Sequence, residues 1–399
     1  GSNTQGTGSI AIGDQSGYCG QGLYSIAIGV QAGNISQDTG CVAIGYQAGY
    51  TSQSSGSVAI GYQAGYTFQG SGCVAIGYKA GSTNQSFWSV AIGKQAGFCG
   101  MGQHSISIGY IAGFMAQQND AIAIGYAAGY CGQNQYSVSI GFQSGAYSQG
   151  TGSVCIGSLS GLTAQGNYSI AIGYGSAGNI QMDRAVAIGY NAGFHVQSTG
   201  SVAVGFQSGF SGQGLYSIAI GYQSGFTSQG TGSIALGYKA GYTSQGSGAI
   251  AIGNIAGYTS QGTGSIAIGY KAGMTAIGTN CICIGNGAST GTSLPANTFA
   301  TITNMATIAG GSALTYNTFT GLIGVASSSM RYKEDIQSFT DNFSDNVLNL
   351  EPVTFKFKSG KIPSFGLIAE EVYSYYPELA PTDHEGIPYT VNYELLSVL

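Results

Sequence analysis

Bulky apolar and small residues alternate in a short phrase, SIAIG, CVAIG, SVAIG or a close variant, which begins at residues 9, 25, 41, 57 and so on to 281. Alternation with a period of two marks a strand with one bulky and one small face. In residues 57–72, SVAIGYQAGYTFQGSG, Val58 and Ile60 alternate with Ser57 and Ala59. Gly61 and Gly65 then interrupt where bends need a permissive backbone, and Gly70 with Gly72 marks a return turn. The phrase recurs every sixteen residues through eighteen repeats, with Gly in the fifth place each time, Gly13, Gly29 and Gly45 through Gly285. A strict period of this kind is a solenoid signature, each repeat being one coil stacked on the last. Two short strands per coil are expected, stacked as parallel sheets, with Val and Ile of places two and four buried. Coils at roughly 4.8 Å each make a rod of about 85 Å. Two aliphatic side chains per coil make a thin core, so partner chains are expected. The small face at Ala59 and Ala64 would let identical chains approach closely about an axis.

Other columns are nearly as regular. Gln holds the thirteenth place in fifteen of the first sixteen repeats, with Met101 the exception, and lapses at Ile277 and Ser293. A ladder of stacked amides accounts for it, each able to donate to and accept from its neighbour. Aromatic residues fill the sixth and tenth places, as in Tyr46, Tyr50, Tyr62, Tyr66, Phe206 and Phe210. Cross-coil stacking is the preferred reading, a sugar-binding platform the alternative. In residues 169–184 the Ala-Gly pair comes one place late, which predicts a local bulge with Asp183 and Arg184 at its return turn.

Composition removes several classes. Gly makes up 70 of 399 residues and charged residues only 6%, yet 43% are hydrophobic, which fits neither collagen nor disorder. The apolar runs are far too short for a membrane span, and no membrane insertion is expected. Residues 1–326 hold five basic residues, four Asp and no Glu, while residues 327–399 hold five basic and eleven acidic, so a boundary falls near Ser327. Neither part has the basic stripe that nucleic acid requires. Eight Cys occupy repeat places one (Cys41, Cys73, Cys281), three (Cys155, Cys283) and eleven (Cys19, Cys99, Cys131), where they read as small hydrophobes. With three scattered His, they offer no metal-ligand pattern, and no cofactor is implied. GSNTQGTG at the start reads as the tail of a repeat, and VNYELLSVL as the beginning of a helix, so both ends are expected to be cuts in a longer protein.

The SxAIG phrase over residues 9–285 resembles the head repeats of YadA-like trimeric adhesins, which implies left-handed parallel β-rolls in threes. This chain departs in its longer coil and shows no outer-membrane anchor. The order SSMRYKEDI (328–336), LNLEPVTFKF (348–357), FGLIAEEV (365–372), YPELA (376–380) and VNYELL (391–396) resembles the endosialidase-type intramolecular chaperone, a serine peptidase family at the C-terminus of phage tailspikes, tail fibres and large-virus fibres. That resemblance implies trimerisation, templated folding of the fibre ahead, and self-cleavage through a Ser and a Lys. The family pattern Ser-Asp-x-Arg-x-Lys falls on Ser328, Arg331 and Lys333, with Ser329 standing at the Asp place. Ser328 is then the nucleophile, Lys333 the general base, and the bond between Ser327 and Ser328 the one cut. A Ser hydroxyl needs such a base, and Lys serves only where burial or nearby positive charge, such as Arg331, lowers its pKa.

The expected architecture is mainly β: a homotrimeric parallel β-solenoid or β-roll over 1–285, a β-rich neck or β-prism over 286–326, and a small α+β chaperone and auto-processing domain over 327–399. The function implied is a structural surface fibre of a virus or phage, attached to a host-surface glycan or receptor, on the virion or alternatively on a bacterial cell surface. A single-turnover autoprotease in the tail is the one enzymatic activity expected. A polysaccharide-degrading tailspike is disfavoured, because residues 1–326 offer only Asp14, Asp38, Asp120 and Asp183, with no two at matching places in adjacent coils. An ice-binding solenoid would need a flat Thr array, whereas place eleven mixes Thr with Ser, Cys and Gly.

Overall fold

The computed structural model describes residues 3–288, 301–302, 314–316, 323–325, 346–356, 363–383 and 385–396. The chain divides into two compact units, Gly1–Ala306 and Thr307–Leu399.

The first unit is a parallel β-solenoid. Each coil supplies a strand from the repeated phrase, such as Val58–Ile60, and a second strand ending on the glutamine, such as Phe68–Gln69. Strands of the first kind stack without slippage, Val58 beside Val42 and Val74, and Ile60 beside Ile44 and Ile76. Eighteen of them run from Ile10–Ile12 to Ile282–Ile284, and Thr301–Ile302 adds one more parallel pairing beyond the repeat. The second kind form a sixteen-stranded parallel sheet from Asn3–Gln5 to Thr243–Gln245. Glycine at place five permits this spacing. A Cβ on Gly61, at φ 128°, would lie 2.6 Å from the carbonyl oxygen of Gly77 in the next coil.

The faces of the first strand are reversed from the expectation. Ala59 and Ala64 are 0% exposed and form the interior with their equivalents along the shaft, so the small face is not a surface for partner chains. Val58 and Ile60 are only partly buried and point outward, and Ile156, Ile188 and Ile220 are exposed. Glutamine sets this order. Gln53 Nε2 donates to the Val42 carbonyl at 2.9 Å, Gln69 Nε2 to that of Val58 at 2.9 Å, and Gln133 Nε2 to that of Ile122 at 2.7 Å. The two strands of a coil are thus held one glutamine side chain apart, and the remaining space takes methyl groups, hydroxyls and thiols. A buried amide requires such partners, whereas Val and Ile require none and can face outward.

The same glutamines form an interrupted ladder, with Gln37 donating to Gln53 at 3.0 Å, Gln117 to Gln133 at 3.1 Å and Gln181 to Gln197 at 2.9 Å. Gln133→Met, the residue that Met101 already places in this column, should cost about 2 kcal/mol, because it removes the buried bonds that Gln133 gives to the Ile122 carbonyl and accepts from Gln117 Nε2. Thermal melting of the two proteins measures this, and identical melts would count against a stabilising ladder.

Coil 169–184 has no bulge. Ile170–Ile172 stays in register with Val186–Ile188, and Gly175 and Ala177 occupy places seven and nine at φ 60° and 49°. Because the coil keeps sixteen residues, Ala177 takes the left-handed turn that Gly65 takes elsewhere, and the frame never shifts.

In the second unit, Leu314–Tyr316 pairs antiparallel with Ile323–Val325. Val353–Lys356 pairs antiparallel with Pro363–Gly366, followed by a helix over Ala369–Tyr375, a 3-10 turn over Pro377–Leu379 and a helical turn over Tyr393–Leu396. Val372, Tyr376, Leu379, Ala380 and Val391 make its small core, packed by Leu350, Leu367, Ala369 and Leu396. Glu370 and Glu371 lie in the first helical turn, where carboxylates favour the helix dipole.

Candidate functional site

On the shaft, the outward face of the first sheet is a continuous strip of Val and Ile, two per coil. Beside it runs the place-six column. Tyr46, Tyr62 and Tyr78 stack at 5.1 Å between ring centroids, and Tyr174, Tyr190, Phe206, Tyr222 and Tyr238 continue the pattern at 5.0–5.2 Å. Where a rung is missing, Lys94 places its Nζ 5.9 Å from the Tyr78 ring and 5.3 Å from the Tyr110 ring, a cation bridging two π faces. Place ten stacks likewise, through Phe210, Phe226, Tyr242 and Tyr258 at 4.9–5.0 Å. Rings within these columns have their faces covered by neighbours and present edges to solvent. They are cross-coil stacks, as preferred from the sequence, and not sugar platforms.

The shaft carboxylates lie apart in separate coils. Asp38 accepts from Ser55 Oγ at 2.5 Å and from the Thr39 amide at 2.7 Å; these bonds hold its pKa below the usual carboxylate value, the Ser55 bond being the larger cause. Asp120 meets His104 Nδ1 at 3.1 Å, and Asp183 accepts from the Asn167 amide at 2.8 Å. Among the described residues no group of three potential metal ligands occurs. Burial pushes the thiols of Cys41, Cys73 and Cys155 upward, away from reactive thiolate. Several place-eleven Thr hydroxyls turn back to carbonyls of the following coil, Thr83 to Phe98 at 3.0 Å and Thr259 to Met274 at 3.2 Å.

In the tail, the four described segments singled out from the sequence, within 348–357, 365–372, 376–380 and 391–396, converge. Tyr393 Oη accepts from the Leu367 amide at 2.8 Å, tying the VNYELL turn to the FGLIAEEV segment, while YPELA supplies Tyr376, Leu379 and Ala380 to the core. Leu348 and Phe365 are 87% and 85% exposed, apolar side chains without cover in a single chain. Ser327, Ser328, Ser329, Arg331 and Lys333 lie outside the described residues.

The stacked-coil shaft and the small domain of the tail each match a known family model, and together these matches suggest an adhesin-like fibre with a chaperone domain. Residues 328–380 match the family model for the chaperone of endosialidase, a match that starts at Ser328. Residues 163–176 and 213–240 match the YadA head domain repeat. Both are families of self-associating chains, and the repeats are those of an extracellular surface fibre. No curated protein and no solved structure matches the chain. Among the described residues no helix is long and apolar enough to cross a membrane.

Proposed function

We propose that this chain is a structural fibre of a virus or phage surface, assembled as a homotrimer, that attaches to a host-surface glycan or receptor. Its tail directs trimerisation and folding and then cuts itself off. The observation that carries this reading is the apolar strip of Val and Ile along all eighteen coils, joined in one chain to a chaperone-of-endosialidase match. A strip of that length in water favours association, and threefold symmetry closes identical strips around one axis. The YadA repeat match favours a second reading, a trimeric adhesin of a bacterial cell surface.

For the cut, Ser328 Oγ attacks the Ser327 carbonyl carbon as Lys333 takes the hydroxyl proton. The peptide bond breaks, an ester joins Ser327 to Ser328 Oγ, and the freed Ser328 amine takes a proton. Water then hydrolyses the ester and releases the tail. Nucleophile and target are neighbours in the chain, so little entropy is lost in bringing them together. Gel analysis of the expressed chain, boiled and unboiled, tests both proposals. The wild type should give an SDS-resistant trimer and two fragments on boiling, whereas Ser328→Ala and Lys333→Ala should each give one uncut chain that still assembles. Normal cutting by Lys333→Ala would refute the assigned base, and a stable folded monomer would refute the fibre.

A further inference from the structure

Of the return-turn aromatics at place sixteen, Trp88 stacks on His104 one coil later at 5.4 Å, whereas glycine follows Tyr24 and Tyr216 at the same place. Tyr24, Trp88 and Tyr216 are 68%, 61% and 66% exposed. Tyr24, Trp88, Tyr168 and Tyr216 each follow a glycine one coil earlier, and a Cβ on Gly8, Gly72, Gly152 or Gly200 would come within 2.6–2.9 Å of the ring. Each ring therefore lies against backbone where a side chain would otherwise be. One coil later, a Cβ on Gly40 or Gly232 would meet nothing within 4 Å. Tyr24 and Tyr216 thus have one face packed and the other open.

We propose that this return-turn edge binds neutral glycan chains, each open ring taking the C–H face of a pyranose while turn hydroxyls bond the sugar's own. This rests on reading the shaft as a host-attaching fibre and names the ligand class. A ring already held against backbone loses little freedom on binding. Hydroxyls stand beside it: Gly40 N donates to the Leu23 carbonyl at 2.9 Å, which sets the exposed Thr39 in the coil next to Tyr24. An open hollow crosses the first four coils over the second strands and reaches the return turns at Leu23, Asp38 and Thr39, just before the place-sixteen residues in sequence. The charge on the edge selects against polyanions. Asp38, Asp120 and Asp183 lie on return turns with His104 and Arg184, whereas all four shaft lysines sit at places six and seven. Recurrence along the shaft lets individually weak contacts add through avidity.

Isothermal titration of the assembled protein should show binding of laminarin or a galactomannan, but not of heparin. Tyr24→Gly, Tyr168→Gly and Tyr216→Gly combined should weaken binding at least tenfold with melting unchanged, since Gly40, Gly56 and Gly232 already hold this place in other coils. Binding to heparin alone, no binding to either neutral polymer, or full affinity in the triple variant would each overturn the proposal. An SDS-resistant trimer that binds neither neutral polymer overturns only this edge, whereas a stable monomer overturns the fibre reading beneath it.

Discussion

Gly125→Ala should melt far below the wild type and expose the shaft to protease near residues 121–152, whereas Gly56→Ala should be nearly silent. Gly125 holds φ 130°, and an added Cβ would sit 2.5 Å from the carbonyl oxygen of Gly141 and 2.8 Å from its carbonyl carbon. The obstacle is backbone, so relief requires parting two coils that are held by bonds such as Gly141 N to the Ile124 carbonyl at 2.8 Å. Backbone strain of about 1–3 kcal/mol, added to hydrogen bonds worth roughly 1 kcal/mol each, gives a loss near 4 kcal/mol. Gly56 has φ 68° and open space where a Cβ would go, and Tyr24 and Asp120 already occupy the equivalent place at φ 55° and 57°. Its replacement should cost about 1 kcal/mol or less. Because each coil touches only its neighbours, the lesion should stay local, with coils far from residue 125 still protected in hydrogen exchange. Equal melting of the two variants would show that place five does not control the coil spacing.

The period, the parallel stacking and the glutamine ladder were legible because each depends on one residue type returning at one interval. The direction of the faces was not. Alternation says that Val58 and Ile60 share a side opposite Ala59, and the usual rule puts the bulkier side within. That rule fails here because the interior width is set by Gln69, whose amide must reach the Val58 carbonyl, leaving room only for Ala59 and Ala64. The clue was in the sequence: a glutamine column as strict as the glycine column is more readily explained by burial than by exposure. The regular frame of coil 169–184 was likewise visible in its count of sixteen residues, although Ala177 in a glycine place suggested otherwise. The place-sixteen aromatics went unnoticed because they are irregular in period, yet most of them could have been found by the glycine sixteen residues before. In the tail, the apolar segments predicted from resemblance meet in one core, while Ser328 and Lys333 fall outside the described residues.

Charging the outward strip should dissolve the assembly without unfolding the coil. Ile124→Glu, Ile140→Lys, Ile156→Glu and Ile172→Lys form a column on successive coils, aligned by the pairings of Ile124 with Ile140, Ile140 with Ile156 and Ile156 with Ile172. Within one chain, opposite charges alternate along the column and attract, so the solenoid should keep its circular dichroism. In a threefold assembly, symmetry brings the same residue of each chain to the same level, so every altered level gathers three like charges in an apolar seam. Desolvating each ion costs several kcal/mol, with no partner of opposite sign at its own level. Sedimentation should therefore show the variant as a monomer, or as a trimer that dissociates in SDS without boiling. The matched control, Ala123→Glu, points a carboxylate into the methyl-lined interior beside Gln117 and Gln133, and should unfold the coil itself. A fully SDS-resistant trimer from the four-residue variant would mean that the Val and Ile strip faces solvent in the assembled fibre, and the chains would then have to meet elsewhere.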